Sequence, residues 1–129
     1  MEQAAAVSRL LVLVVDDDAR AARLLAIMLR EDGFRVEVAV DGAAAVRRLS
    51  RDPVPDVLVT DLHLAHADGI TVARYARSRS NAIRLFLVTG YPELVEEHMA
   101  SFSPPPFVLT KPVVYEHLRS QIGALEAPT

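Results

Sequence analysis

Five short apolar runs recur along the chain, at 10–15, 36–40, 57–60, 84–88 and 107–109, and between them the apolar positions change to a helical spacing. Leu24, Leu25, Met28 and Leu29 form the first helical stripe, with Gly33 placed as its C-terminal stop. Asp41 is positioned to cap a second helix carrying Val46 and Leu49, which Pro53 and Pro55 close off. Ile70, Val72, Ala73 and Ala76 predict a third helix. Leu94, Val95, Met99 and Phe102 predict a fourth, opened by Pro92. Tyr115, Leu118, Ile122 and Leu125 share one face of a fifth, which Pro128 ends. The first and fourth runs, LLVLVV and LFLV, are continuously apolar where a one-sided strand would alternate. Such strands belong to a parallel sheet buried on both faces, joined by helical crossovers. The pattern therefore predicts an α/β fold, a (βα)5 three-layer sandwich with a five-stranded parallel sheet, and the winding taken as the expectation for it is the order 2-1-3-4-5.

Composition narrows this picture without changing it. The chain has 129 residues, 51% hydrophobic, with no tryptophan, enough to bury one core unaided. The expected organisation is a disordered segment over 1–9, one domain over 10–126 and a tail over 127–129. No apolar run approaches the roughly 20 residues needed to cross a bilayer, and the start MEQAAAVSR lacks the character of a signal peptide. A cytoplasmic location with no membrane insertion is the expectation. The absence of cysteine excludes disulfide scaffolding, thiol catalysis and thiolate-bound zinc. A net charge of −3 argues against direct nucleic-acid binding. Arg47, Arg48, Arg51, Arg74, Arg77 and Arg79 are read as solvated helix faces.

The chemistry lies where the strands end. Asp16 and Asp17 follow the first run, Asp61 the third, Thr89 the fourth, and Lys111, the sole lysine, the fifth. In parallel sheets ligands bind outside the carboxyl ends of the strands, at the point where strand order reverses. The order 2-1-3-4-5 would place the first and third strands together there, bringing Asp16, Asp17 and Asp61 together. Three carboxylates in one place repel one another unless a cation joins them, and oxygen ligands alone suit Mg²⁺. Asp18 is expected to cap the first helix. A carboxylate surrounded by a metal, a hydroxyl and an ammonium is suited to phosphoryl transfer, with Asp61 as nucleophile and Thr89 and Lys111 balancing charge.

VLVVDDD at 12–18, DVLVTDLHLAHADG at 56–69, LVTG at 87–90 and LTKP at 109–112 resemble, in order, the four signature segments of the receiver domain of two-component response regulators. The resemblance spans essentially the whole chain. It implies that Asp61 is the phosphoacceptor and that a histidine kinase or a histidine phosphotransfer protein is the donor. Mg²⁺, with Mn²⁺ as a substitute, would be held by Asp17, Asp61 and the backbone carbonyl of His63, and by Asp16 through water. Thr89, Lys111 and the backbone N–H groups of Leu62 and Gly90 would hold phosphoryl oxygens. Gly90 would leave space for the donor or a hydrolytic water, and the Lys111–Pro112 bond would be cis. The chain would act as a phospho-accepting signalling domain that assists its own phosphotransfer and dephosphorylation. Its output would pass to a downstream protein or a second copy through the face made by the fourth helix, fifth strand and fifth helix.

Two positions depart from that family. Ala65 stands where proline is usual, which predicts a looser loop after Asp61. Val108 stands where many receivers carry the aromatic residue that follows the threonine inward. Phe107, one position away, should face the other side of the sheet, so the expectation is either that Tyr91 serves as the switch residue or that the change on phosphorylation is small. VTGYP together with PFVLTKP resembles receivers of the hybrid-kinase or stand-alone relay type. The alternatives are a phosphorylation-independent protein-binding module and a phosphohydrolase of the haloacid-dehalogenase type, whose acidic pair comes last where here it comes first. A flavodoxin-like flavin protein shares the architecture, but a triple acid cluster is a poor cradle for a flavin phosphate. His63 and His66 are read as polar loop residues, His98 and His117 as helix residues, and Tyr75 and Tyr115 as packing aromatics.

Overall fold

The computed structural model describes residues 9–64 and 67–125. The expectations for residues 1–8, for Ala65, His66 and Pro128, and for the tail lie outside the described residues. Five strands, β1 (Leu11–Val15), β2 (Arg35–Ala39), β3 (Val57–Asp61), β4 (Arg84–Thr89) and β5 (Phe107–Thr110), form one parallel sheet of order β2-β1-β3-β4-β5. The helices between and after them are α1 (Ala19–Glu31), α2 (Gly42–Leu49), α3 (Gly69–Arg79), α4 (Glu96–Met99) and α5 (Tyr115–Ala124). This is the expected α/β sandwich, and the sheet has the expected order.

The continuous apolar runs are explained by burial on both faces. All five residues of β1 are buried, and alternate side chains enter two separate cores. Leu13 and Val15 join Ala45, Leu49, Val72 and Ala76 on the α2 and α3 side. Val12 and Val14 join Ala22, Ala26, Leu29, Leu118 and Ile122 on the α1 and α5 side.

Aspartates start three of the helices. Asp18 accepts from the N–H groups of Arg20 and Ala21 at 3.1 and 3.2 Å, Asp41 from Ala44 at 2.7 Å, and Asp68 from Thr71 at 2.8 Å. Each satisfies backbone donors that a helix leaves unpaired in its first turn. After α1 the chain reverses at Gly33, whose φ of 97° is open to glycine at little steric cost.

Two expectations change. The fourth helix is only Glu96–Met99, preceded by a 3₁₀ turn at Pro92–Leu94, and Phe102 is buried beyond its end. Ser101 Oγ donates to the His98 carbonyl at 2.7 Å, and Pro104 disfavours helical backbone just before it. The stripe therefore has helical spacing without a helix long enough to carry it. The arginines are also not all solvated. Arg48 is buried, pairs with Glu37 and donates to the carbonyls of Arg51 and Pro53. Arg77 donates to the carbonyls of Ile83 and Pro104, and Arg79 to that of Leu49. A guanidinium has five donors in a fixed fork, so one side chain can satisfy several loop carbonyls that no helix or sheet pairs.

Candidate functional site at the carboxyl edge of the sheet

Register brings the acids together. Val15 of β1 lies opposite Thr60 of β3, so the next residue on each strand, Asp16 and Asp61, emerges at the same edge. Asp16, Asp17 and Asp61 each offer a carboxylate oxygen, and the three oxygens lie within 4.8 Å of one another. Asp61 is buried, Asp16 half-buried and Asp17 exposed, so the cluster opens to solvent on the Asp17 side. Asp16 is tied to its own turn, accepting from the Asp18 N–H at 2.9 Å.

Lys111 closes the other side. β5 pairs with β4 so that Thr89 lies opposite Thr110, and the Lys111 N–H donates to the Thr89 carbonyl at 2.9 Å. From there its Nζ donates to Asp61 Oδ2 at 2.8 Å. The Lys111–Pro112 bond is cis, as the resemblance implies.

Electrostatics follow this geometry. The bond to Asp61 raises the Lys111 ammonium above its ordinary value. Burial, with the charge of Asp61 behind it, raises the carboxyl of Asp16, while its bond from the Asp18 N–H pulls the other way.

The remaining expected residues surround Asp61. Thr89 is buried at the end of β4, and its Oγ1 accepts from the Tyr91 N–H at 3.0 Å. A side chain at Gly90 would meet nothing within 4 Å, so the volume beside Thr89 is open. The N–H of Leu62 is already bound to the Val88 carbonyl at 3.1 Å. The N–H directed at Asp61 Oδ1 is that of His63, at 3.4 Å. The His63 ring meets Tyr91 edge-on at 6.5 Å.

Val108 packs partly buried against the α2 and α3 core. Phe107 stacks on Phe86 across the other face, with ring centroids 4.7 Å apart.

Two supports of the site were not visible in the sequence. Thr60 Oγ1 donates to the Asp61 carbonyl at 2.9 Å. Gly69 donates its N–H to the Leu62 carbonyl at 2.9 Å, and a Cβ there would lie 2.3 Å from the Asp61 carbonyl oxygen. The start of α3 thus packs against the backbone that carries Asp61.

Residues 12–122 match the family described as the response regulator receiver domain. The chain belongs to that family. This receiver is 32% identical over 114 residues to the response regulator MprA of Mycobacterium leprae, covering 88% of this chain and 50% of that protein. It is equally identical to the transcriptional regulatory protein PrrA of Mycobacterium tuberculosis, covering 48% of it. The chain therefore spans about half the length of the curated relatives it matches. Among solved structures, the receiver domain of the Francisella response regulator 1452 superposes with a TM-score of 0.77 at 28% identity, covering 91% of this receiver and 96% of that chain. The receiver's place is thus in two-component signalling. No helix among its described residues is long and apolar enough to cross a membrane.

Proposed function

We propose that this receiver takes a phosphoryl group onto Asp61 from a phosphohistidine of a histidine kinase or histidine phosphotransfer protein. The observation that carries the reading is the buried Asp61 carboxylate, held by Lys111 Nζ at 2.8 Å next to two further carboxylates. A carboxylate oxygen of Asp61 attacks phosphorus in line. The P–N bond breaks, its electron pair returns to the imidazole, and an acyl phosphate remains on Asp61. Lys111 exchanges Asp61 Oδ2 for a phosphoryl oxygen. Thr89 spends a lone pair on the Tyr91 N–H, which leaves its hydroxyl proton for a second oxygen, and the His63 N–H is placed for a third. Loss of the group is the reverse charge problem: water attacks phosphorus, the P–O bond to Asp61 breaks, and inorganic phosphate leaves. Both steps depend on positioning and charge balance more than on covalent chemistry by the protein.

The three carboxylates fit a hard divalent cation, since they converge within 4.8 Å and the chain has no thiolate to compete. Asp17, Asp61 and the His63 backbone carbonyl would hold Mg²⁺ or Mn²⁺, with Asp16 reaching it through water. When bound, the ion supplies positive charge against the phosphoryl oxygens.

Output follows from Thr89. A phosphoryl oxygen draws its hydroxyl inward and with it the Tyr91–Leu94 segment, biasing the face of α4, β5 and α5 toward a downstream protein or a second copy. Asp61→Asn is expected to abolish Mg²⁺-dependent labelling by acetyl phosphate or by a phosphorylated kinase. Stoichiometric labelling of that variant would place the acceptor elsewhere.

A further inference from the structure

The sheet has an open edge at β2, beside a groove unrelated to the phosphoacceptor site. β2 pairs with β1 alone. The bonds at its two ends set its phase, because the Arg35 N–H donates to the Leu10 carbonyl and the Ala39 carbonyl accepts from the Asp16 N–H. In a parallel pair, alternate residues turn both backbone groups toward the same neighbour. Arg35, Glu37 and Ala39 therefore face β1, while Val36 and Val38 turn their N–H and C=O outward. The Val36 carbonyl is covered by Arg30 of α1, whose Nη2 donates to it at 2.8 Å. The Val38 side chain is half-buried, but its outward N–H and carbonyl have no hydrogen-bond partner among the described residues, and Val40 just beyond is 45% exposed. The edge is closed at its start and open at its end. Open strand edges are templates for pairing, and proteins usually blunt them.

Beside the open end lies a groove of about 620 Å³, lined by Val38, by Ala39 and Ala44 from the α2 side, and by Arg47, Arg48 and Arg51. The acid lining it, Glu37, is neutralised by Arg48. Arg47 and Arg51 are exposed, and neither guanidinium has an ion pair or hydrogen bond among the described residues. Unused backbone donors and acceptors thus lie next to two uncompensated cations.

We propose that the Val38–Val40 edge binds an extended segment of a partner protein that adds a strand to the sheet. The segment carries acidic side chains at alternate positions. Its backbone pairs with Val38. Glu37 and Ala39 point to the α2 face, as the register with Leu13 and Val15 requires. Segment residues opposite them point the same way, so the acids meet Arg47 and Arg51. The intervening residues face the Val38 side, toward the apolar cluster against which Val38 packs. Main-chain bonds supply affinity in this mode and alternate side chains supply specificity.

The test uses the full chain with three blocked pentapeptides: alternating Asp and Val, alternating Lys and Val, and the Asp/Val peptide N-methylated on the amides that would pair. Expected are slowed hydrogen exchange at the Val38 N–H with the Asp/Val peptide and no slowing with the other two. Affinity should drop about tenfold or more in Arg47→Glu/Arg51→Glu. Far-UV circular dichroism and the urea unfolding midpoint should be unchanged in that variant, which shows that it is folded. Equal binding of the Lys/Val or N-methylated peptide overturns the proposal, as does binding that leaves Val38 exchange unaltered. Concentration-dependent protection of Val38 without peptide also overturns it, because the occupant is then a second copy. Failure of the phosphorylation reading would leave this test unaffected.

Discussion

Asp16 carries an electrostatic cost in the site. Its carboxyl is raised by burial and by Asp61, so its charge opposes folding of the ion-free protein at neutral pH. The sign is that of a raised acid: the penalty is present above the folded-state value and is relieved as pH falls through it. Asp16→Asn removes the charge and can still accept from the Asp18 N–H. It should stabilise the ion-free protein by about 1 kcal/mol, the scale of one like-charge contact near water, and lose most of the stabilisation by Mg²⁺. Urea unfolding in EDTA and in saturating Mg²⁺ measures both, and an ion-free variant weaker than the parent contradicts the account. The two glycines near the site should differ in the same kind of experiment. Gly69→Ala puts a Cβ against the Asp61 carbonyl oxygen and the Leu62 Cα, where only backbone can move aside. A loss of about 1–3 kcal/mol is expected, together with slower acetyl phosphate labelling. Gly90→Ala enters open space and should change stability by no more than about 0.5 kcal/mol, so slower labelling there would report volume that the donor or water uses. If both variants unfold alike, the contrast in packing is not what separates them.

Among the elements, β5 is where this receiver departs from the pattern its sequence resembles. Its aromatic residue, Phe107, is stacked on Phe86 on the α1 and α5 side. The residue facing the opposite core is Val108, which has no ring to turn. Amide hydrogen exchange after acetyl phosphate treatment should therefore change at Tyr91–Val95 and stay nearly constant at Val108 and Leu109. A large change in β5 would show that the strand moves without its aromatic. Strands and two of the capped helices were legible because local signals and tertiary context agree: burial on both faces keeps LLVLVV apolar, and Asp18 and Asp41 act on the backbone beside them. The strand-end acids and Lys111 were legible for a related reason, since topology alone carries Asp16, Asp17, Asp61 and Lys111 to one edge. What could not be read depends on distant partners. Nothing near Arg48 or Arg77 announces the loop carbonyls they satisfy, and nothing near Gly69 announces the Asp61 backbone behind it. The Leu94–Phe102 stripe misled because Val95 and Phe102, the two of its residues that are buried, are supplied by consecutive turns, while Leu94 is exposed.

Across the whole molecule, one sheet separates two cores while the acidic cluster sits at its edge, in neither. Leu49 of α2 and Leu118 of α5 are both fully buried, on opposite faces. Leu49→Ala and Leu118→Ala should each cost about 2–5 kcal/mol through lost burial and the cavity left behind. With no shared packing partner, their effects should add to within about 0.5 kcal/mol. The sheet belongs to both cores, so neither face can unfold alone, and each variant should show one transition. The chain has no tryptophan but has tyrosines on both sides, Tyr75 packed against one core and Tyr115 against the other. Tyrosine fluorescence and far-UV circular dichroism should therefore unfold together in urea. Mg²⁺ at a hundred times its dissociation constant should add about 2.7 kcal/mol to the parent and to both variants alike, because neither cavity touches a ligand. A Mg²⁺ increment that shrinks in one variant would show that the site leans on that core. Separate transitions by the two probes would show that the sheet does not bind its faces into one cooperative unit.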